Sequence, residues 1–332
     1  MVQVLVQFFG AAGVIVIAGV ALTRIADKLS DRLGLGKMLA GGILIAAATS
    51  LPELSVAISA VGLGYHDLAV GGLFGSNLFN LLLLGLIDLA FRSKGRILST
   101  TSAAHALSGC MSIGLIAIPA FMIATKSQGT WLNLGWGSWI LFMAYFFGIR
   151  LAFFDQKYLM RKQHDSQEGD ENSQGSSGWL MYTLSYCGVA AVIFFAAPHL
   201  SSSAGELARI TGVEETFVGT TLVALATSLP ELVTTVAAVR LGSVDMAVGN
   251  IFGSNSFNMV IIAVTDIAYG GSLLGAVSPT HLMTCLAAIF ITSIIIMGQL
   301  CHAEKPIAFV EPDAILVILL VIGSLITIYT MG

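Results

Sequence analysis

The sequence predicts an all-α integral membrane protein whose ten transmembrane helices form two inverted five-helix repeats. Composition, an internal repeat and the distribution of basic residues support this prediction. Hydrophobic residues make up 56% of the 332 residues and charged residues only 10%, whereas a soluble domain carries about 25% charged residues. Several apolar runs approach the roughly 20 residues that a helix needs to cross a bilayer. The net charge of −4 offers no basic surface for nucleic acid.

A segment of the first half recurs in the second half at a constant offset of 178 residues. Residues 46–54 read AAATSLPEL and residues 224–232 read ALATSLPEL. Further on, GLFGSNLFN at 72–80 is matched by NIFGSNSFN at 250–258. Between residues 41 and 90, 26 of 50 positions are identical to the residue 178 positions later. Duplication of a whole neighbourhood indicates one site built from both halves.

Ten apolar segments are the candidate spans, and a polar segment separates the fifth from the sixth. Residues 155–178 are rich in Ser, Gly, Gln and acidic residues, a composition that cannot build a core. We therefore predict a first repeat at 1–154, a cytoplasmic linker at 155–178 and a second repeat at 179–332. The candidate spans lie near residues 3–22, 38–64, 68–91, 102–125, 131–154, 179–198, 216–241, 245–268, 278–299 and 313–330.

The basic residues lie almost entirely on one side of this arrangement. With the N-terminus outside, thirteen of the fifteen Lys and Arg residues fall in cytoplasmic loops, and only Lys126 and Arg209 fall outside. This bias agrees with the positive-inside rule. Because five spans is an odd number, the second repeat enters the membrane upside down relative to the first. Inverted repeats with a site near the midplane are typical of secondary transporters.

Each copy of the repeated motif places a glutamate directly after a proline in an apolar stretch. Proline lacks an N–H and clashes with the preceding turn, so we expect Pro52 and Pro230 to break their helices and release backbone carbonyls. A carboxylate in lipid is energetically costly and by default functional, which makes Glu53 and Glu231 the first candidate ligands. Further oxygen donors accompany them: Thr49, Ser50, Ser76 and Asn80 in the first copy, and Thr227, Ser228, Ser254 and Asn258 in the second.

These donors are hard oxygens, which suit Na⁺, Ca²⁺ or Mg²⁺ better than zinc or copper. The Ser and Asn of each copy are four residues apart and so share one helix face. Gly75 and Gly253 precede them and are expected to permit close backbone approach. The alternative interpretation is a proline kink with Ser, Thr and Asn holding helices together. The duplication and the paired glutamates favour an ion site.

The motif pair resembles the signature repeats of the calcium/cation antiporter superfamily, and the sodium/calcium exchanger family of prokaryotic type in particular. The resemblance implies an exchanger that swaps Na⁺ or H⁺ for Ca²⁺ by alternating access in a plasma or inner membrane. It implies no enzymatic activity and no cofactor, with the lipid bilayer and the transported ions as partners. By position, Glu53 and Glu231 match the central carboxylates, and the Thr and Ser residues beside them match sodium ligands. Ala46 and Ala224 match positions that lend backbone carbonyls.

One departure from the family pattern leaves the coupling ion open. Sodium-coupled relatives often carry an aspartate where this chain has Asn258, so the candidate site has two carboxylates rather than three. Exchange of H⁺ for Ca²⁺ or another divalent cation is therefore the main alternative. A passive cation channel is less favoured, because broken helices in inverted repeats are typical of transporters. An intramembrane enzyme ranks last, since no catalytic motif accompanies the glutamates.

Four further polar residues recur at or near the repeat offset. Asp67 and Asp245 precede candidate spans and are predicted to be helix N-caps. His105 and His281 lie near the starts of two other spans. Histidine can titrate near neutral pH, but we predict hydrogen-bonded histidines at helix starts rather than proton sensors.

Overall fold

The computed structural model describes residues 1–91, 103–164, 179–211, 226–300 and 312–331. Within these ranges the chain is helical apart from its connections and one short hairpin. The first half contains α1 (Val2–Leu33), α2 (Lys37–Leu39), a π-helical stretch (Ala40–Ile45), α3 (Ala46–Thr49), α4 (Leu51–Gly62), α5 (His66–Ala90), α6 (Ala103–Ala124) and α7 (Trp136–His164). The second half contains α8 (Trp179–Thr211), α9 (Leu229–Arg240), α10 (Val244–Tyr269), α11 (Leu273–Ala276), α12 (His281–Leu300) and α13 (Pro312–Met331).

Seven of the described helices are long and apolar enough to cross a membrane: α1, α5, α6, α7, α8, α10 and α12. A bent pair, Lys37–Thr49 followed by Leu51–Gly62, could form an eighth span and turns by 42°. The prediction of a helical, multi-pass membrane protein is confirmed. Part of the seventh candidate span, residues 216–225, lies outside the described residues.

Helix α1 is longer than its apolar run. We expected a span at 3–22, but the helix continues to Leu33 and ends at Gly34, whose φ of 62° lies in the left-handed region. The Gly34 N–H donates to the Ser30 carbonyl. Apolarity defines the part of a helix that lies in lipid, whereas the helix itself ends where a glycine closes its last turn.

Helix α7 is displaced toward the C-terminus relative to the candidate span at 131–154. Its N-terminal end is preceded by a hairpin in which Thr130–Trp131 pairs antiparallel with Leu134–Gly135. The two connecting residues have positive φ, as a tight hairpin turn requires. At the other end, α7 extends to His164, so the first ten residues of the expected linker are helical. The remainder of that segment, 165–178, lies outside the described residues.

Both proline motifs break their helices, as predicted. Ser50 has φ −87° and ψ 4°, and Ser228 has φ −86° and ψ 5°. Pro52 and Pro230 follow in the first turns of α4 and α9. There a missing N–H removes no helical hydrogen bond. The two repeats therefore share the same break at the same position.

Helix α10 is buried along nearly its whole length, and glycines allow it to pack backbone to backbone against α2 and the π-helical stretch. A Cβ added to Gly253 would collide with the backbone of Gly42, and one added to Gly249 would collide with the Met38 carbonyl. The expected close approach at Gly253 is confirmed. At Gly75 the expectation was wrong, because a Cβ there meets nothing within 4 Å.

Asp67 and Asp245 are not N-caps, contrary to prediction. The N-cap positions of α5 and α10 belong to Tyr65 and Ser243, because each helix begins one residue before its aspartate. Asp67 Oδ1 lies 3.0 Å from His281 Nε2, and Asp245 Oδ1 lies 2.8 Å from His105 Nε2. The histidines are hydrogen-bonded at helix starts, as expected. Each pair links a helix of one half to a helix of the other.

The substitution Asp245→Ala is expected to destabilise the protein by about 1–3 kcal/mol, because it leaves a buried ring nitrogen without a partner. The His105 side chain is fully buried, and its Nδ1 already has no hydrogen-bond partner. Thermal melting in detergent measures the effect. Asp245→Asn keeps an acceptor and should melt close to wild type. Asp67→Ala should also cost less, since His281 is 14% exposed. Equal melting temperatures for Asp245→Ala and wild type would contradict this account.

Candidate ion-binding site

The predicted ligands converge where α5 and α10 meet the two broken helices. Every predicted side-chain ligand lies within the described residues and is at most 5% exposed. The first half contributes Thr49, Ser50, Glu53, Ser76 and Asn80, and the second contributes Thr227, Ser228, Glu231, Ser254 and Asn258. Helix α10 packs against α4, α5 and α9, so the helices that carry the candidate ligands of the two halves are in contact.

The two glutamates come from opposite halves and lie close enough to repel each other electrostatically. Glu53 is 5% exposed and Glu231 is 1% exposed. The Ser50 hydroxyl donates to Glu231 Oε1 at 3.3 Å, across the two halves. Thr227 of the second half is next to Glu53 in the same way. Thus each carboxylate is contacted by a hydroxyl of the opposite repeat.

One oxygen of each glutamate, Oε2, is buried without a hydrogen-bond partner. A buried charge without a counter-charge is strongly unfavourable, and two carboxylates side by side add mutual repulsion. A bound cation between Glu53 and Glu231 would relieve both terms. Thr49 and Ser254 also neighbour Glu231, which adds hydroxyl oxygens to the same place.

The side-chain amides of Asn80 and Asn258 present free oxygens. The Nδ2 amide group of each donates to the Oδ1 of an asparagine of the other half at 2.9 Å, Asn80 to Asn255 and Asn258 to Asn77. Each amide oxygen, by contrast, is buried without a partner. Asn77 and Asn255 were not among the ligands predicted from the sequence. Their signal was present, since the third letter of GSN recurs at the 178-residue offset.

A second polar cluster supports only the second-half glutamate. The Asn250 amide nitrogen lies 2.9 Å from the hydroxyls of both Thr234 and Thr235. The Thr234 hydroxyl in turn donates to the Pro230 carbonyl at 2.8 Å. This cluster fixes the first turn of α9, which carries Glu231, against α10. The corresponding residues 178 positions earlier are apolar or Gly, namely Gly72, Val56 and Ala57, so the first half has no such brace.

The carbonyl of Ala46 is already engaged. It accepts from the Ser50 N–H at 3.0 Å and from the Thr49 hydroxyl at 3.3 Å. The resemblance implied that this carbonyl oxygen coordinates an ion. To do so, the oxygen would have to keep these hydrogen bonds while it binds the ion, or lose them. Its counterpart Ala224 lies outside the described residues.

The donor set consists of two carboxylates with amide and hydroxyl oxygens. Among the described residues there is no group of three or more His, Cys, Asp and Glu residues that could hold a metal. Neutral oxygens would therefore complete any coordination shell around the glutamates. Hard oxygens of this kind suit Na⁺ and Ca²⁺. Two negative charges balance one divalent or two monovalent cations.

Comparisons with known proteins agree with this chemistry. A family model described as sodium/calcium exchanger protein matches residues 3–164 and 181–328. The inner membrane protein YrbG of Escherichia coli (strain K12) is 30% identical over 241 residues, which cover 71% of each chain. The sodium/calcium exchanger MaX1 of Methanosarcina acetivorans is 28% identical over 263 residues, covering 71% of this chain and 75% of MaX1.

A solved structure has the same fold. The sodium-calcium exchanger NCX_Mj, soaked with Na⁺ and without Ca²⁺, superposes with a TM-score of 0.73. The two sequences are 17% identical, and the match covers 98% of this chain and 99% of the other. At this identity the likeness concerns the fold alone. The family match, in contrast, extends over almost the entire sequence, and it leads to one conclusion: the chain belongs to the sodium/calcium exchanger protein family.

Proposed function

We propose that this chain is a secondary-active antiporter that exchanges Na⁺ for Ca²⁺ across the cell membrane by alternating access. One observation carries the proposal. Glu53 and Glu231, from opposite halves, are buried and interact electrostatically, and each has an unpartnered oxygen, while the free amide oxygens of Asn80 and Asn258 belong to α5 and α10, which pack against each other. Membership of an exchanger family supports cation exchange. Coupling to Na⁺ rather than H⁺ is part of the proposal.

The proposed architecture has ten spans, with the N-terminus outside and inverted repeats at 1–154 and 179–332. Thirteen of the fifteen basic residues would then face the cytoplasm. In this orientation the Asp67–His281 pair lies at the outer face and the Asp245–His105 pair at the inner face. The identical backbone breaks at Ser50 and Ser228 are what two copies of one unit should have.

Charge balance supplies the coupling in this mechanism. Two ionised glutamates hold either one Ca²⁺ or its monovalent competitors, and occupancy by one set excludes the other. Opposing fluxes therefore pass through the same carboxylates in turn. Helices α1 and α8 pack along each other, and α1 exposes much of its surface. They are our candidates for the unit that slides across the remaining helices.

The test is uptake of radiolabelled Ca²⁺ into proteoliposomes. Vesicles loaded with Na⁺ are compared with vesicles loaded with K⁺ and with vesicles carrying only a pH gradient. Uptake that requires internal Na⁺ is expected. Uptake driven by the pH gradient alone would instead establish H⁺/Ca²⁺ exchange, with Glu53 and Glu231 as the proton carriers. Uptake that needs neither gradient would indicate a channel and overturn the proposal.

A further inference from the structure

Four buried asparagines form a closed set at the crossing of α5 and α10. We call Asn77, Asn80, Asn255 and Asn258 the asparagine clasp. Each is at most 1% exposed. The members correspond in pairs at the 178-residue offset, and every hydrogen bond between them joins one half to the other. The clasp therefore joins equivalent positions of the two repeats to each other.

The hydrogen bonds divide the four asparagines of the clasp into two pairs that differ in how their side-chain amides are used. Asn80 Nδ2 donates to Asn255 Oδ1, and Asn258 Nδ2 donates to Asn77 Oδ1, both at 2.9 Å. Asn77 Nδ2 faces the backbone carbonyl of Asn255 at 3.5 Å, and Asn255 Nδ2 faces that of Asn77 at 3.3 Å. Asn77 and Asn255 thus use both ends of their amides within the clasp. Asn80 and Asn258 use only their nitrogens and leave their oxygens free.

This pattern fixes the direction of every amide. A backbone carbonyl can only accept, so the Asn77 nitrogen must face Asn255 and its oxygen must face Asn258. Asn258 must then offer its nitrogen to that oxygen. Reversing either amide would bring two acceptors or two donors together in a buried place, which is unfavourable. The same reasoning applies to Asn255 and Asn80.

We propose that Asn77 and Asn255 are positioning residues that hold the amide oxygens of Asn258 and Asn80 toward the transported ions. The inference rests on the proposed function, because it assigns those oxygens to the cation site. It also accounts for the neutral residue at 258. An ionised aspartate there would meet the Asn77 oxygen as a second acceptor, so the clasp favours an amide and keeps the site at two carboxylates.

The first test replaces each positioning residue with an apolar residue of similar size. Asn77→Leu and Asn255→Leu should raise the Ca²⁺ concentration for half-maximal uptake about tenfold, the factor that one ordinary net hydrogen bond represents. The maximal rate should stay within about twofold of wild type, because substrate ligands are misdirected but present. Ser256→Ala is the matched control. Ser256 is buried next to Asn255, but its hydroxyl donates only to the Phe252 carbonyl, so wild-type affinity is expected.

Ca²⁺-induced and Na⁺-induced thermal stabilisation of purified protein distinguishes failure of the proposed function from failure of the positioning role. Absence of stabilisation in the wild type would overturn the proposed function and this inference with it. Stabilisation of the wild type that persists undiminished in Asn77→Leu and Asn255→Leu would overturn the positioning role alone.

Asn77→Ala and Asn255→Ala test the same role if the leucine variants do not fold. Alanine removes the acceptor for the amide nitrogen of Asn258 or Asn80 without adding volume to the buried crossing of α5 and α10, so the same rise in the Ca²⁺ concentration for half-maximal uptake is expected. Wild-type Ca²⁺ affinity in folded alanine variants would overturn the positioning role.

Discussion

Glu53→Gln and Glu231→Gln are each expected to abolish Na⁺-driven Ca²⁺ uptake into proteoliposomes. The two carboxylates are buried, interact electrostatically and come from opposite halves, so in the proposed site they together supply the charge that balances Ca²⁺. Removing one partner of a desolvated charge interaction costs about 3–5 kcal/mol. That loss weakens Ca²⁺ binding by at least about a hundredfold, and uptake at micromolar Ca²⁺ should fall to background.

Misfolding is not expected to explain that loss. Because Glu53 and Glu231 repel each other, each glutamine variant should melt at or above the wild-type temperature in ion-free buffer. Ca²⁺ should no longer raise the melting temperature, since a ligand stabilises only the protein that binds it. Asp31→Asn is the control: this carboxylate is 65% exposed and pairs with Lys37, so transport should be unaffected. Near-normal uptake by either glutamine variant would refute the site assignment.

The sequence predicted those features of the candidate site that depend on short motifs and on the repeat. The proline directly before each glutamate indicated a helix break, and the breaks occur at Ser50 and Ser228. The 178-residue offset identified which residues would be equivalent. It could not show which equivalent residues touch. The contacts of Asn77 and Asn255 depend on how α5 crosses α10, and a crossing is set by packing between distant segments rather than by spacing.

The same limit explains the incorrect predictions. Asp67 and Asp245 fit the composition of an N-cap, yet their side chains bond to histidines more than a hundred residues away in sequence. A local rule cannot weigh a partner that only the tertiary fold brings near. The asymmetric brace of Asn250 on Thr234 and Thr235 is a related case. There the two repeats differ in sequence, and only the structure shows that the three polar residues of the second repeat contact one another.

Gly75 and Gly253 occupy the same position in the two repeats, so alanine substitutions at these two glycines form a matched pair for testing how an added Cβ affects stability. Gly253→Ala is expected to destabilise the protein by at least about 3 kcal/mol, the upper range for overpacking. A Cβ at 253 would meet the Cα, carbonyl carbon and oxygen of Gly42. Backbone atoms cannot rotate away as a side chain can, so α10 would have to move as a whole.

Gly75→Ala should melt like wild type, because a Cβ at that position has open space around it. Thermal melting followed by size-exclusion chromatography in detergent compares the two variants directly. Helix α10 carries the candidate ligands Ser254 and Asn258, so a displacement of α10 would also move the proposed ion site. Gly253→Ala protein that survives purification should therefore show weaker Ca²⁺-induced stabilisation than Gly75→Ala. If the two variants melt at the same temperature, the close packing of α10 on the π-helical stretch does not contribute to stability in the way its geometry indicates.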